Sequence, residues 1–239
     1  MHAVVLAGGR GVRLRPYTTR LPKPLVPIGD EHAILDIVLR QLGACGFDRV
    51  TIAIGFLGQL VQAYVRDGGH LGTEVDYWSE DEPLGTMGPL VAHRDELPDH
   101  VLVINGDVLT DLDLAGVLAG HIASGAPLTV CTYQREQLVD FGVLVSDGDR
   151  IVEFREKPVE HFQVSMGVYA LSIEALDPYR PGEPLGFDEL VLDLLARGRS
   201  PRVHPFDGYW LDIGRPDDYE LANQQWPTVR GRLLPGGDR

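Results

Sequence analysis

A glycine-rich segment near the N-terminus has residue types suited to holding phosphate. The segment Leu6–Leu14 follows a short apolar run, and its three glycines would let backbone N–H groups approach an anion closely. These glycines are Gly8, Gly9 and Gly11. A P-loop needs glycine followed directly by lysine and serine or threonine, and a dinucleotide fingerprint needs a third glycine where Leu14 stands. Neither motif is present, so the glycines alone leave a phosphate loop and a structural turn both open.

Lysine is rare in this chain, which makes each lysine a candidate for a specific role. Of 21 basic residues only Lys23 and Lys157 are lysine, leaving 21 − 2 = 19 arginines. A compact ammonium and a planar guanidinium are not interchangeable. Lys23 stands between Pro22 and Pro24, which fix their own φ angles and stiffen the segment. We therefore predict that Lys23 binds phosphate.

Acidic residues occupy two positions where a strand would present them to a ligand. Asp107 follows the apolar run Val101–Asn105, and α/β sheets bind their ligands at the carboxyl ends of the strands. Glu156 ends the alternating run Ile151–Glu156 on its apolar face, where a carboxylate could accept hydrogen bonds from hydroxyl groups.

The elements that must position these residues alternate between strand and helix in the N-terminal half. The predicted strands there are His2–Ala7, Val50–Ile54, Glu74–Trp78 and Val101–Asn105. The predicted helices between them are Ala33–Cys45, Leu57–Arg66 and Met87–Arg94. This order predicts βαβ units and a parallel sheet covered on both faces. The second half has more β character and a last helix over Pro216–Gln225, so we predict one α/β domain over residues 1–226 and an irregular tail over 227–239.

Composition excludes several classes of function. The chain has 239 residues, 44% of them hydrophobic, and a formal charge of −14. An acidic chain of this kind lacks the basic face of a general nucleic-acid or anionic-membrane binder. No apolar run reaches the ~20 residues of a membrane span, and there is no signal-peptide pattern. Two isolated cysteines give no disulfide framework, so we expect a cytoplasmic protein.

Several motifs in one order resemble the sugar-1-phosphate nucleotidyltransferases, or NDP-sugar pyrophosphorylases. The similarity extends to about Trp226 and is closest to enzymes of the GDP-mannose and GDP-manno-heptose type. The motifs are Gly8–Pro16, Pro22–Leu25, Glu80–Thr86, Asn105–Asp107, Phe141–Val143, Glu156–Pro158 and Trp210–Pro216. The resemblance implies a Rossmann-like three-layer fold with a mostly parallel central sheet and a β-rich sugar-binding insertion.

The family reaction joins a sugar 1-phosphate to an NTP, giving an NDP-sugar and pyrophosphate with the help of Mg²⁺. It requires alignment and charge neutralisation of two polyanions rather than a protein nucleophile. The resemblance implies catalytic roles for Arg13, Lys23, Lys157 and Asp107, and a metal site at Asp107 and Asp212. It implies nucleotide binding by Leu6, Ala7, Gly8, Gly9, Gly11, Glu80, Gly85 and Thr86. It implies sugar binding by Gly142, Glu156 and Ser165.

The nucleobase is predicted from Glu80. In the family this position contacts the base, and glutamine there suits thymine or uracil, which present both a donor and an acceptor. A carboxylate only accepts, and guanine presents two adjacent donors on its Watson–Crick edge. We therefore expect GTP as the nucleotide, with UTP, dTTP or CTP as alternatives. The alternative is that Glu80 has no role in base recognition and is one of three solvated acids, with Asp81 and Glu82.

The sugar is less well specified. Ser165 replaces the asparagine that is common in the family, and Tyr17 replaces a usual leucine. Many guanylyltransferases continue into a left-handed β-helix after the position of Trp226, whereas short forms act on manno-heptose 1-phosphate. Mannose 1-phosphate and manno-heptose 1-phosphate are therefore both candidate substrates, and assembly into a homo-oligomer stays open.

Two rival functions and one structural alternative remain. Asp111 and Asp113 match the metal-binding D-x-D motif of glycosyltransferases that consume an NDP-sugar. They also stand at the start of a predicted helix, where aspartate is a common N-cap. An inactive regulatory homologue would be expected to lose the site cations or aspartates, which this chain keeps. Asp212 could also cap the helix that begins at Pro216.

Overall fold

The computed structural model describes residues 1–80 and 82–234. Its helices in that part of the chain are α1 (Ile34–Ala44), α2 (Gly58–Val65), α3 (Gly88–Ala92), α4 (Leu114–Ser124), α5 (Phe187–Ala196) and α6 (Pro216–Leu233). Its strands are β1 (His2–Ala7), β2 (Pro27–Ile28), β3 (His32–Ala33), β4 (Arg49–Ile54), β5 (Glu74–Ser79), β6 (His100–Asn105), β7 (Val108–Thr110), β8 (Leu128–Leu138), β9 (Val143–Asp147), β10 (Arg150–Arg155), β11 (Val159–Ser172), β12 (Arg202–Phe206) and β13 (Trp210–Asp212).

Seven of the described strands form the central sheet, in the order β12-β8-β11-β6-β1-β4-β5. Strands β6, β1, β4 and β5 pair in parallel, as do β12 and β8. Strand β11 alone among the sheet's described strands runs antiparallel to both neighbours, β6 and β8. The predicted α/β fold with a mostly parallel sheet is therefore confirmed.

Helices cover both faces of the sheet because side chains of a strand alternate between faces. In β1, Ala3 and Val5 pack in a core with helices α1, α2 and α4, whereas Val4 packs on the other face with α3 and α5. A third apolar cluster joins α6 to the segment that follows the glycine loop, with Leu14 and Ile28 fully buried in it. This arrangement has three layers and leaves the carboxyl ends of β1, β4 and β6 at one edge.

The prediction of an irregular tail was wrong for residues 227–233. Helix α6 continues through Pro227 to Leu233, because Trp226, Val229 and Leu233 share one face and are buried in the third cluster. Pro227 and Gly231 obscure this spacing in the sequence, since both residues are poor helix formers. Residues 235–239 of the predicted tail lie outside the described residues.

The predicted β-rich insertion is an exposed arm made of residues 134–163. It contains the hairpin β9–β10 and the far halves of β8 and β11, which pair from Val159 with Leu138 to Gln163 with Gln134. The apolar runs Leu128–Tyr133 and Val164–Leu171 predict shorter strands than β8 and β11, because the outer halves of these strands lack a buried apolar face.

None of the described helices is both long and apolar enough to cross a membrane.

Candidate functional site

The glycine loop is folded tightly against the turn that follows β4. A Cβ on Gly55 would lie 2.8 Å from the carbonyl oxygen of Gly8, and the N–H of Phe56 donates to that oxygen at 3.3 Å. Gly11 has a φ of +58°, a left-handed conformation that favours glycine, and its carbonyl accepts from the Thr18 hydroxyl at 2.7 Å. The glycines therefore permit close backbone approach on both sides of the loop.

Lys23 reaches the carboxyl edge of the sheet from the proline-flanked segment. The residue begins a short 3₁₀ helix, Lys23–Leu25, after Pro22 in an extended conformation. Its Nζ is hydrogen-bonded to Oδ2 of Asp107, and both side chains are mostly buried. Two residues 84 positions apart in the chain thus meet at the centre of the candidate site.

Asp107 and Asp212 are brought together by backbone pairing. Asp107 lies between β6 and β7, and its carbonyl accepts from the N–H of Ile213 at 3.1 Å. Asp212 ends β13 and pairs with Val108 of β7. Burial, and secondly the charge of Asp107, raise the pKa of Asp212, while the nearby cations Lys23 and Arg13 act in the opposite direction. Two carboxylates and two cations therefore share one partly buried environment.

The carboxylate of Asp212 is not the cap of α6. Asp218 fills that role, because its Oδ2 accepts from the N–H of Arg215 at 2.8 Å and from that of Gly214 at 3.2 Å. Asp107 has a buried Oδ1 that accepts no hydrogen bond from the described residues. An unpartnered buried carboxylate oxygen beside a second carboxylate is suited to a divalent cation.

The two aspartates would supply only part of a metal's ligands. No group of three or more His, Cys, Asp or Glu side chains that could hold a metal occurs among the described residues. Mg²⁺ commonly takes one or two carboxylates and completes its shell with phosphate oxygens and water. The donor set at Asp107 and Asp212 fits that pattern.

A cavity of about 460 Å³ opens beside the glycine loop. Its described lining combines small and apolar residues with one acid, one cation, one aromatic ring and the polar side chains of Thr86 and Asn105. The lining is Leu6, Gly8, Gly9, Arg10, Ala53, Gly55, Phe56, Glu80, Pro83, Gly85, Thr86, Pro89 and Asn105. Six of the eight predicted nucleotide-binding residues are in this set: Leu6, Gly8, Gly9, Glu80, Gly85 and Thr86.

Glu80 is held at the wall of this cavity by its own loop. Its Oε1 accepts from the N–H of Leu84 at 3.2 Å, and its Oε2 lies 3.1 Å from where a Cβ on Gly8 would be. Burial raises the pKa of Glu80, while the bond from Leu84 and the neighbouring His93 act to lower it. Glu80 is thus a fixed, half-buried acceptor rather than a freely solvated acid.

A smaller cavity of about 100 Å³ continues from the first toward the aspartate cluster. Its described lining is Leu6, Ala7, Gly9, Lys23, Pro24, Asn105, Gly106 and Asp107. Leu6, Gly9 and Asn105 line both cavities, so one groove runs from Glu80 to Lys23 and Asp107. Gly11 does not line either cavity; a Cβ there would lie 3.1 Å from Cβ of Lys23.

Two of the three predicted sugar-binding residues are neighbours, and the third lies where the arm joins the sheet. Gly142 and Glu156 are neighbours on the exposed arm, since a Cβ on Gly142 would lie 3.4 Å from Oε2 of Glu156. Lys157 follows with a φ of +42°, an uncommon conformation for a residue other than glycine. Ser165 lies where β11 enters the sheet, and its hydroxyl donates to the Tyr169 hydroxyl at 3.2 Å.

The D-x-D residues are engaged in the fold. The side chain of Asp113 accepts from the N–H of Gly116 at 2.9 Å as the N-cap of α4. Asp111 accepts from the N–H of Tyr209 at 2.7 Å and pairs with Arg232. This arrangement leaves the glycosyltransferase interpretation without a metal site at these two residues.

Among the cavity residues that the sequence did not single out, three have charged, amide or aromatic side chains: Arg10, Phe56 and Asn105. Asn105 ends β6, directly before Gly106 and Asp107, so its position at the carboxyl end of a parallel strand was an available signal. Arg10 lies within the glycine-rich segment, but its contact with Phe56 could not be predicted, because only the fold brings the glycine loop to the turn after β4.

Comparison with known proteins gives a consistent result. The nucleotidyl transferase family model matches residues 2–228. Mannose-1-phosphate guanyltransferase of Schizosaccharomyces pombe is 36% identical over 92% of this chain, which spans 62% of that relative's length. The D-glycero-alpha-D-manno-heptose 1-phosphate guanylyltransferase of Aneurinibacillus thermoaerophilus is 30% identical over 94% of this chain and 98% of its own. UTP–glucose-1-phosphate uridylyltransferase of a Synechocystis species is 32% identical over 98% of this chain and 63% of its own.

Solved structures agree with these relatives. HddC from Yersinia pseudotuberculosis, complexed with GMP-PN, has a TM-score of 0.74 and 25% identity, covering 94% of this chain and 99% of its own. The matched segment of the family model contains every element of the groove described above. This chain belongs to the nucleotidyl transferase family.

Proposed function

We propose that this protein transfers a guanylyl group from GTP to a sugar 1-phosphate, giving a GDP-sugar and pyrophosphate. The observation that carries the proposal is the continuous groove with an acceptor carboxylate, Glu80, at one end and the cluster of Lys23 and Asp107 at the other. A nucleoside triphosphate has the matching order of groups, with the base at one end and the phosphates at the other.

Glu80 supports guanine as the base. Its Oε1 already accepts from the N–H of Leu84, which orients the carboxylate, and its Oε2 lies against the glycine loop at Gly8, at the wall of the cavity. The adjacent donors N1–H and N2–H of guanine suit a carboxylate, whereas thymine and uracil present a single donor, N3–H, beside carbonyl oxygens that would repel it. Two relatives named guanylyltransferases and a neighbour complexed with GMP-PN favour the same base.

The end of the groove away from Glu80 would bind the triphosphate through positively charged side chains and a metal ion. Arg13 and Lys23 would hold the β- and γ-phosphates, together with backbone N–H groups of the glycine loop. Asp107 and Asp212 would hold Mg²⁺, which would neutralise charge on the phosphate oxygens. In the reaction an oxygen of the sugar phosphate bonds to the α-phosphorus, and the bond from that phosphorus to the oxygen bridging to the β-phosphate breaks. The electron pair leaves with pyrophosphate.

The sugar phosphate would bind on the side of the arm. Lys157 would hold its phosphate, while Glu156, Gly142 and Ser165 would contact the sugar. The relative of matching length acts by its name on manno-heptose 1-phosphate, and the longer relative on mannose 1-phosphate. We assign a manno-configured sugar 1-phosphate and place the reaction in the cytoplasm, where nucleoside triphosphates are available.

A pyrophosphate-release assay tests this proposal. Five NTPs are combined with glucose, mannose and manno-heptose 1-phosphates in the presence of Mg²⁺. We expect release with GTP and a manno-configured sugar, and no release when Asp107 is replaced by alanine. Turnover with UTP or dTTP equal to that with GTP would contradict the guanine assignment. Unchanged activity of Asp107→Ala would contradict the site.

A further inference from the structure

Two side chains that line the nucleotide cavity, Arg10 and Phe56, have no role in the function proposed above. Among its described lining residues Arg10 is the one cation and Phe56 the one aromatic ring. The guanidinium carbon of Arg10 lies 6.0 Å from the centroid of the Phe56 ring, within the range of a cation–π contact. The pair therefore bridges the glycine loop and the turn after β4.

The backbone fixes Phe56 at this position. Its N–H donates to the carbonyl of Gly8 at 3.3 Å, and the next residue, Leu57, has a φ of +56°. A left-handed leucine is strained, and such strain concentrates at ligand sites. The turn closes through the N–H of Gly58 to the carbonyl of Gly55 at 3.0 Å. Phe56 is nevertheless exposed, so packing in the core does not account for its ring.

Arg10 is not engaged by an acid. No ion pair to Arg10 occurs in the described part of the chain, and no acidic residue precedes Asp30 in the sequence. An exposed planar guanidinium that contacts an aromatic ring at a cavity mouth is suited to stacking on a flat ligand.

We propose that Phe56 and Arg10 stack on the face of the nucleobase and favour purine over pyrimidine nucleotides. Glu80 contacts the edge of the base, and no other aromatic or planar cationic side chain is among the described residues that line the cavity. A purine presents a larger face than a pyrimidine and gains more from a stacking surface. This inference rests on the proposed function, since it assigns the same groove to a nucleotide.

Isothermal titration of GTP and UTP, without sugar phosphate, tests the stacking role. We expect Phe56→Ala to weaken GTP binding at least about fivefold, the lower end of base–aromatic stacking, and UTP binding less. Phe56→Tyr should keep wild-type affinity. Arg10→Lys should resemble Arg10→Ala, because an ammonium keeps the charge but loses the planar stack. Leu60→Ala, at an exposed leucine outside the cavity, is the matched control.

The outcomes separate the two proposals. If the wild-type protein binds no nucleotide, the proposed function fails. If it binds GTP and Phe56→Ala binds GTP equally well, the stacking role fails while the proposed function stands. Full affinity of Arg10→Lys would show that Arg10 acts through charge and would overturn its stacking role. Thermal unfolding of each variant shows whether the fold is kept, and Phe56→Leu gives a second variant without an aromatic ring.

Discussion

The ammonium group of Lys23 is bonded directly to the carboxylate of Asp107. One residue comes from the proline-flanked segment and the other from the end of a central strand, so the contact joins two regions of the fold. Both side chains are mostly buried, which reduces screening by water and strengthens the pair. In the proposed reaction Lys23 exchanges this partner for phosphate when a nucleotide and a metal bind.

Replacing Lys23 with alanine should reduce pyrophosphate release by about 100-fold or more, the usual cost of removing one preorganised charge from a transition state. Lys23→Arg should fail to restore activity, because a planar guanidinium cannot replace the compact ammonium in the mostly buried contact with Asp107. Steady-state kinetics of both variants make the measurement. Arg20→Ala, at an exposed cation in the same segment, serves as the control, and a fully active Lys23→Ala would refute the assignment.

Glu80→Gln should shift the nucleotide preference from GTP toward UTP or dTTP. An amide can donate as well as accept, so the variant should lose about 10- to 100-fold in kcat/KM for GTP, the range for a hydrogen bond to a charged group, and gain activity with UTP or dTTP. The ratio of kcat/KM for GTP and UTP is the readout. Glu82→Gln, at the exposed acid two residues on, should leave this ratio unchanged. An unaltered ratio in Glu80→Gln would remove Glu80 from base recognition.

Gly29→Ala should destabilise the protein by about 3 kcal/mol, since overpacking and a left-handed alanine both contribute. A Cβ there would lie 2.1 Å from Cδ1 of Trp226, and the φ of Gly29 is +63°. Gly125→Ala has a nearly equal φ of +64° and nothing within 4 Å, so it isolates the backbone contribution of about 1 kcal/mol. Urea unfolding compares the two, and equal losses would show that Trp226 does not pack on Gly29.

His121 should make the protein less stable in mild acid. The side chain is fully buried between Thr129 and Ser172, and burial lowers its pKa from 6.5 to about 4. Because the unfolded chain binds the proton more tightly, stability is complete above pH 6.5 and is lost as the pH falls toward 4. Linkage gives a loss of about 1.3 kcal/mol between pH 7.5 and 5.5.

Unfolding free energies of wild type and His121→Gln at these two pH values check the effect. Glutamine can keep hydrogen bonds to the two hydroxyls but does not titrate, so the variant should lose most of this pH dependence. His2 and His204 also have lowered pKa values and would leave a smaller residual slope. Equal pH dependence in the two proteins would exclude His121 as the source.

The sequence was sufficient for elements with a strong local pattern. Apolar periodicity located β1, β4, β6 and α1 within one or two residues, because each packs its side chains into a core. The outer halves of β8 and β11 were not predicted because they are exposed and have no buried face. Helix α6 was cut short for a different reason, since packing against Ile28 and Leu14 outweighs the local effect of Pro227.

In the candidate site, the sequence identified individual residues but not the contacts between them. Lys23 and Asp107 could be identified from composition and position, but their contact follows from the pairing of distant segments. The proximity of Asp107 and Asp212 depends on β13 pairing with β7, a contact between residues more than 100 positions apart that spacing does not encode. Phe56 and Arg10 show the limit most clearly, because each is unremarkable until the two loops meet.

The most direct test of the account follows the α-phosphorus of the nucleotide. The protein is incubated with α-³²P-labelled GTP, Mg²⁺ and mannose or manno-heptose 1-phosphate, and the products are separated by charge and mass. The account predicts that the label appears in a GDP-sugar, with one unlabelled pyrophosphate released for each. Label that stays in GTP, or that appears as free GMP without a sugar nucleotide, would contradict it.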